Sequence, residues 1–175
     1  MAVNNQKLVY ILGKNLVCQN LQNQKLKVIS RQSKLVSLVV SDDGKKLAMG
    51  DDFGKIYVLY NFMPSQVDND PAQLVIQSLP HWHHSAVSSL RFASSSLLLS
   101  AGKESVLVQW NLDSQEKSFV SRLGNGEITN LQLSTEFYSA IFGDNSIKVC
   151  RRDNNKPCLD SHSLDLASNS DLLIQ

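Results

Sequence analysis

Apolar positions along the chain come in short bursts separated by polar turn formers, with no helical period. Three segments share one arrangement: an apolar residue, a second three positions on, a third two further, then a small residue. A glycine follows fifteen positions after the first apolar residue. The sets are Leu35, Leu38, Val40, Ser41 and Gly50; Val87, Leu90, Phe92, Ala93 and Gly102; and Ile128, Leu131, Leu133, Ser134 and Gly143. Within them, apolar runs bounded by Gly, Asp, Asn and Ser predict strands. The first segment gives 35–41, 46–50, 55–60 and 73–78, and the second 87–93, 97–101, 106–112 and 118–123. The third gives 128–133, 138–142 and 147–151, with 156–162 as a candidate fourth strand. Ahead of them, 8–12, 15–21 and 25–30 read as the last three strands of a unit lacking its first strand; 163–175 gives no element.

The glycines lie 52 and then 41 residues apart, and a four-stranded propeller blade needs about 40 to 45. The surplus falls in one loop within 61–80, where Met63-Pro64-Ser65 and Asp68-Asn69-Asp70-Pro71 favour turns. The expected fold is all-β, an incomplete β-propeller of about three full blades plus partial ones. It occupies 1–162 as one domain, with a partial blade at about 1–30, blades at 35–80, 87–123 and 128–162, and a tail at 163–175.

The segments Ser41-Asp42-Asp43-Gly44-Lys45-Lys46-Leu47-Ala48 and Asp144-Asn145-Ser146-Ile147-Lys148-Val149 resemble WD-repeat β-propellers. That resemblance implies a structural network of His83, Ser100, Glu104 and Trp110, with Glu104 where the family usually has Asp. The first and third units lack the tryptophan, with Leu59 or Tyr60 and Cys150 near its place. His81-Trp82-His83-His84-Ser85-Ala86-Val87, together with the run from Leu99 to Trp110, is similar to the WD repeat-containing protein 75 family, WD-repeat subunits of the small-subunit processome. Gly54-Lys55-Ile56, Asn61-Phe62 and Arg122-Leu123-Gly124 fall where that family has similar residues, and the likeness spans about 35–153. It implies a non-catalytic scaffold in the nucleus and nucleolus, supporting ribosomal RNA processing and transcription. Its partners would be other processome subunits and the pre-ribosomal RNA particle. The alternative is a generic WD-repeat adaptor, for example one presenting substrates to a ubiquitin ligase.

With 175 residues, 42% apolar and 19% charged, the composition is that of a globular domain. No apolar run is longer than the five residues from Leu8 to Leu12, far short of the roughly 18 residues of a membrane-spanning helix. No charged start followed by a long apolar stretch marks a secretory signal, so a soluble intracellular protein without a membrane partner is expected. Cys18, Cys150 and Cys158 are odd in number and scattered, which predicts reduced thiols. The net charge of +1 hides an asymmetry: residues 1–41 carry six basic side chains and no acid. This basic third and Arg151-Arg152 are candidate contacts for RNA phosphates. Tyr10 is the sole aromatic residue in 1–41, which argues against a base-stacking platform there.

His81, His83 and His84 are the one cluster that suggests metal or acid–base chemistry. Zinc requires converging ligands, yet no cysteine, Cys150 included, lies near the cluster in the chain and no second pair has ligand spacing. Ser85 and Ser100 lie in no nucleophile motif, and Gly124-Asn125-Gly126 reads as a turn rather than a phosphate cradle. No catalytic residue, cofactor, metal or small-molecule substrate is therefore expected. Candidate partner contacts are Trp82, His84, Arg151, Arg152 and the 61–80 loop. An open arc also leaves a blade face uncovered at each end. Roughly 400 Å² of lost apolar burial would cost on the order of 10 kcal/mol. The expectation is a piece of a longer product, or a half-propeller closed by another chain.

Overall fold

The computed structural model describes residues 2–4, 7–62, 75–80, 82–120, 123–124, 126–152 and 157–161. Among the described residues sixteen strands form four antiparallel sheets, each built from four consecutive strands. The first sheet holds β1 (Ala2–Asn4), β2 (Lys7–Leu12), β3 (Asn15–Asn20) and β4 (Leu26–Ser30); the second β5 (Leu35–Val40), β6 (Leu47–Asp51), β7 (Ile56–Tyr60) and β8 (Val75–Ser78). The third holds β9 (Ser89–Phe92), β10 (Leu97–Ala101), β11 (Leu107–Asn111) and β12 (Lys117–Val120); the fourth β13 (Ile128–Leu133), β14 (Phe137–Phe142), β15 (Ile147–Arg151) and β16 (Pro157–Ser161). No helix among the described residues is long and apolar enough to cross a membrane.

One expectation is corrected at the start of the chain. The first sheet has four strands, because Ala2, Val3 and Asn4 pair with Val9, Leu8 and Lys7. Three residues with one bulky apolar side chain are too few to display an alternating pattern, so only their backbone pairing reveals the strand. The expected tail 163–175 and most of the 61–80 loop, residues 63–74, lie outside the described residues.

Sheets stack face to face, and the second strand of each explains why apolar runs outnumber clean alternations. In β6, Leu47 and Met49 pack with Val9, Leu16 and Cys18 of the first sheet, while Ala48 between them joins Val87, Leu90 and Leu98 of the third. In β10, Leu98 faces the second sheet and Leu99 joins Ile128, Leu131 and Tyr138 of the fourth. A strand covered on both sides has no polar face to display. First strands of successive sheets are neighbours, β5 against β9 and β9 against β13, and so line the inner side of the stack. Fourth strands β8 and β12 stay at the outer edge, where Val75 and Phe119 are exposed.

Hydrogen bonds reinforce the junctions. Val87 N–H donates to Asp51 O at 3.1 Å, Leu131 N–H to Ser89 Oγ at 3.1 Å and Arg91 Nη2 to Asn130 Oδ1 at 3.1 Å. Ladder pairings also show that the common glycine spacing conceals three different places. Leu38 pairs with Met49, Leu90 with Ser100 and Leu131 with Ala140, so the first hairpins shorten by one residue from sheet to sheet. Gly50 therefore lies inside β6 opposite Ser37, Gly102 just beyond β10, and Gly143 in the turn after β14.

Candidate functional site

His83 enters the third sheet from the segment ahead of β9 and is fully buried. Its Nε2 lies 2.7 Å from Ser100 Oγ of β10, and Trp110 Nε1–H of β11 donates to the same oxygen at 2.8 Å. On its other side, Nδ1 meets the carboxylate of Glu104, which sits in the turn between β10 and β11. Donor arithmetic orders the protons: the Glu104 carboxylate can only accept, so the proton of a neutral ring belongs on Nδ1, and Nε2 accepts from the Ser100 hydroxyl, whose oxygen takes the indole N–H. The four expected network residues are thus brought together across one hairpin and the segment entering it.

Neighbouring backbone has to stay bare for this contact. A Cβ on Gly102 would stand 2.6 Å from both Glu104 carboxylate oxygens and 2.7 Å from His83 Nδ1. In the second and fourth sheets, Met49 and Ala140 occupy the ladder place of Ser100, and Leu59 and Cys150 that of Trp110. Tyr60, the other residue considered for the tryptophan's place, points elsewhere and donates to Gln77 Oε1 at 2.8 Å.

The cavity of about 460 Å³ between the third and fourth sheets and a second of about 560 Å³ beside β11 and β12 are lined by no member of the network. Its hydroxyl and imidazole nitrogens are engaged with one another, which is an arrangement for holding strands. Among the described residues no three His, Cys, Asp or Glu side chains converge as a metal site; His81 lies outside those residues.

Other candidates occupy two separate surfaces. Trp82 is 42% exposed and stacks on Phe119 of β12, with ring centroids 4.1 Å apart and planes tilted by 32°. Lys117 Nζ lies 5.2 Å from the centroid of the same indole. Sequence reasoning missed Phe119 and Lys117; their one signal was a shared face of a short edge strand. His84 is exposed nearby in sequence. Arg151 and Arg152 sit at the end of β15 and line a cavity of about 460 Å³ between the third and fourth sheets. Arg151 is exposed, whereas Arg152 donates to Ser134 O at 2.9 Å, Thr135 O at 3.2 Å and Ala93 O at 3.0 Å. In the basic third of the chain, Arg31 places its guanidinium 4.9 Å from the Tyr57 ring centroid, a structural contact between the first two sheets.

Residues 3–145 match the family described as the first beta-propeller of WD repeat-containing protein 75. The chain belongs to this family. U3 small nucleolar RNA-associated protein 17 of Schizosaccharomyces pombe is 33% identical over 115 residues, covering 64% of this chain and 13% of that protein. WD repeat-containing protein 75 of Danio rerio is 37% identical over 107 residues, 59% of this chain and 12% of its own length. The chain thus spans about an eighth of the length of these curated relatives. A chain in the crystal structure of the mitotic checkpoint complex superposes with a TM-score of 0.75 at 14% identity, over 89% of this chain and 46% of that one, a likeness of fold alone.

Proposed function

We propose that the chain is part of a non-catalytic scaffold of the small-subunit processome, which holds protein subunits against the pre-ribosomal RNA particle in the nucleolus. The observation that carries this reading is the family match over residues 3–145. A relative named for association with U3 small nucleolar RNA points the same way. The chemistry supports a role without catalysis, because the Ser100 hydroxyl, although within reach of His83, is fully buried and capped by the Trp110 indole, where a substrate would not reach it. What remains outward is suited to contact: the Trp82–Phe119 stack with Lys117, exposed His84, and Arg151. RNA phosphates and protein segments are the partners this surface would meet, with no cofactor or small-molecule substrate.

The test uses the full-length cellular product carrying an affinity tag. Co-sedimentation with precursor ribosomal RNA, crosslinks to other processome subunits and nucleolar staining are expected. Diffuse cytoplasmic staining, with neither precursor RNA nor processome proteins recovered, would overturn the proposal.

A further inference from the structure

The third sheet is open along its outer strand, β12. Asn111 N–H donates to Glu116 O at 2.8 Å, which makes these two a hydrogen-bonded pair at the foot of the β11–β12 ladder. Bonded and non-bonded pairs alternate in an antiparallel ladder. Gln109 and Ser118 are therefore the next bonded pair, while Lys117 and Phe119, opposite Trp110 and Val108, turn their N–H and C=O groups away from β11. No strand of the described residues lies beyond β12 to receive them. On one face of this edge Phe119, 47% exposed, packs against the exposed Trp82. Lys117 shares that face, its ammonium over the indole and in none of the ion pairs among the described residues. A lysine alone guards an edge against pairing. Two large exposed aromatic rings beside it do the reverse.

We propose that β12 takes up an extended segment of a protein partner as a fifth strand of the third sheet. The inference rests on the scaffold reading and names one contact through which it works. An incoming strand presents N–H and C=O groups at the two-residue repeat of Lys117 and Phe119, whereas a helix has already used its own. Beside Phe119 the incoming residue meets the aromatic pair, which selects a bulky apolar side chain. Two residues along the same face, Lys117 selects Asp or Glu. Glu116, the adjacent acid, falls on the other face by alternation and accepts from Ser114 Oγ at 3.1 Å. That other face offers Ser118 and Gln109 beside the cavity of about 560 Å³, which suits a polar residue between the two. The segment therefore reads bulky apolar, polar, acidic, in either chain direction. Single-stranded RNA fits less well. The Trp82 ring already carries Phe119 and the Lys117 ammonium over it, and phosphates cannot donate to the outward carbonyls of the edge.

Panning of a random-peptide phage library on the full chain tests the proposal, with the resynthesised consensus then titrated onto Phe119→Ser, Lys117→Gln and Lys117→Pro. Both positions are exposed, and the N–H that proline removes bonds to nothing in the ladder, so the variants keep the fold, checked by circular dichroism and melting. A single-stranded oligouridylate is titrated in parallel. Enriched peptides are expected to carry a bulky apolar residue, a polar one and Asp or Glu in succession. Phe119→Ser should weaken binding about tenfold or more, and panning on Lys117→Gln should lose the acidic preference. Lys117→Pro should bind about fivefold more weakly than Lys117→Gln, because it removes a backbone donor as well as the charge. The Lys117 and Phe119 amides should exchange hydrogen fast in the free chain and about tenfold more slowly or better with peptide bound. The proposal fails if no consensus emerges, if its residues follow a helical spacing, or if Phe119→Ser binds it unchanged. It fails equally if Lys117→Pro and Lys117→Gln bind alike, or if the two amides stay unprotected. A response to Phe119→Ser by oligouridylate alone, or a dimer of the free chain that Lys117→Pro dissolves, overturns it in favour of RNA or a second copy at the edge. Co-sedimentation of the full-length product reads the scaffold role separately, so loss of one conclusion does not imply loss of the other.

Discussion

The Trp110 indole N–H and the Ser100 hydroxyl meet at 2.8 Å, diagonally across the β10–β11 ladder, and His83 closes the chain of donors from a segment seventeen residues earlier. Removing the middle member strands both buried ends. Ser100→Ala is expected to destabilise the fold by about 2–3 kcal/mol, since two buried partners lose their hydrogen bond. Trp110→Phe added to Ser100→Ala should cost less than the two single changes together, because they break the same chain. Urea unfolding of the four species measures the coupling. Strict additivity would show that the contact contributes no cooperative stability.

Strand periodicity and turn composition disclosed the second and third sheets because their hairpins carry Asp-Gly or Ser-rich turns and their second strands, β6 and β10, are apolar on both faces. Ser41 and Asp43 illustrate the first: the Ser41 hydroxyl and the Lys45 N–H both donate to the Asp43 carboxylate, at 2.6 Å and 3.0 Å, a local turn written in neighbouring residues. Contacts made by register were not visible in this way. Nothing in the sequence says that Phe119 and Trp82 stack, since Trp82 lies in the connection between β8 and β9 and Phe119 on β12, far along the chain. The place of the missing tryptophan needed the ladder too: Cys150 pairs with Tyr138, and Leu59 with Leu47, before the equivalence with Trp110 becomes definite.

Tyr138 supplies a pH dependence with a definite sign. Burial, then the Cys150 thiol beside it, pushes the phenol well above its usual 10.0. The folded chain therefore keeps a proton that the unfolded chain sheds above about pH 10. Stability from this group is fully present below that pH and declines as pH rises further, by up to about 1.4 kcal/mol per unit. Tyr138→Phe should be close to neutral at pH 7 and should flatten the alkaline decline. Chemical unfolding at several pH values above 9 makes the comparison, and an unchanged slope would remove Tyr138 as its source.

The two tryptophans sit in opposite environments, Trp110 at 2% exposure and Trp82 at 42%. Trp82→Phe should leave a blue-shifted emission that acrylamide quenches weakly. Phe119→Ala should have the reverse effect, uncovering the Trp82 ring and increasing quenching. Both changes lie at the surface and are expected to alter stability by less than about 1 kcal/mol. A red, readily quenched emission from Trp82→Phe would contradict the burial of Trp110.

Gly50, Gly102 and Gly143 occur at one spacing in the sequence but answer to different constraints, and alanine at each position separates them. At Gly50 a Cβ would come within 2.5 Å of Val87 Cβ and 2.6 Å of Ser37 Oγ, between two sheets that cannot both retreat. At Gly102 the Glu104 carboxylate can swing aside, but the buried His83 ring cannot, so the Glu104 contact is the part that yields. At Gly143 the nearest atoms are 3.9 Å away and the backbone is not among the positive-φ glycines. Gly50→Ala should therefore be the most damaging, at about 2–3 kcal/mol, with Gly102→Ala at about 1–2 kcal/mol. Gly143→Ala should be neutral or stabilising by up to about 1 kcal/mol, through the reduced freedom of the unfolded chain. Urea midpoints in the order Gly143→Ala, Gly102→Ala, Gly50→Ala, from most to least stable, are the expected result. Equal losses at all three would mean that the repeat spacing, rather than the ladder position, sets the role of these glycines.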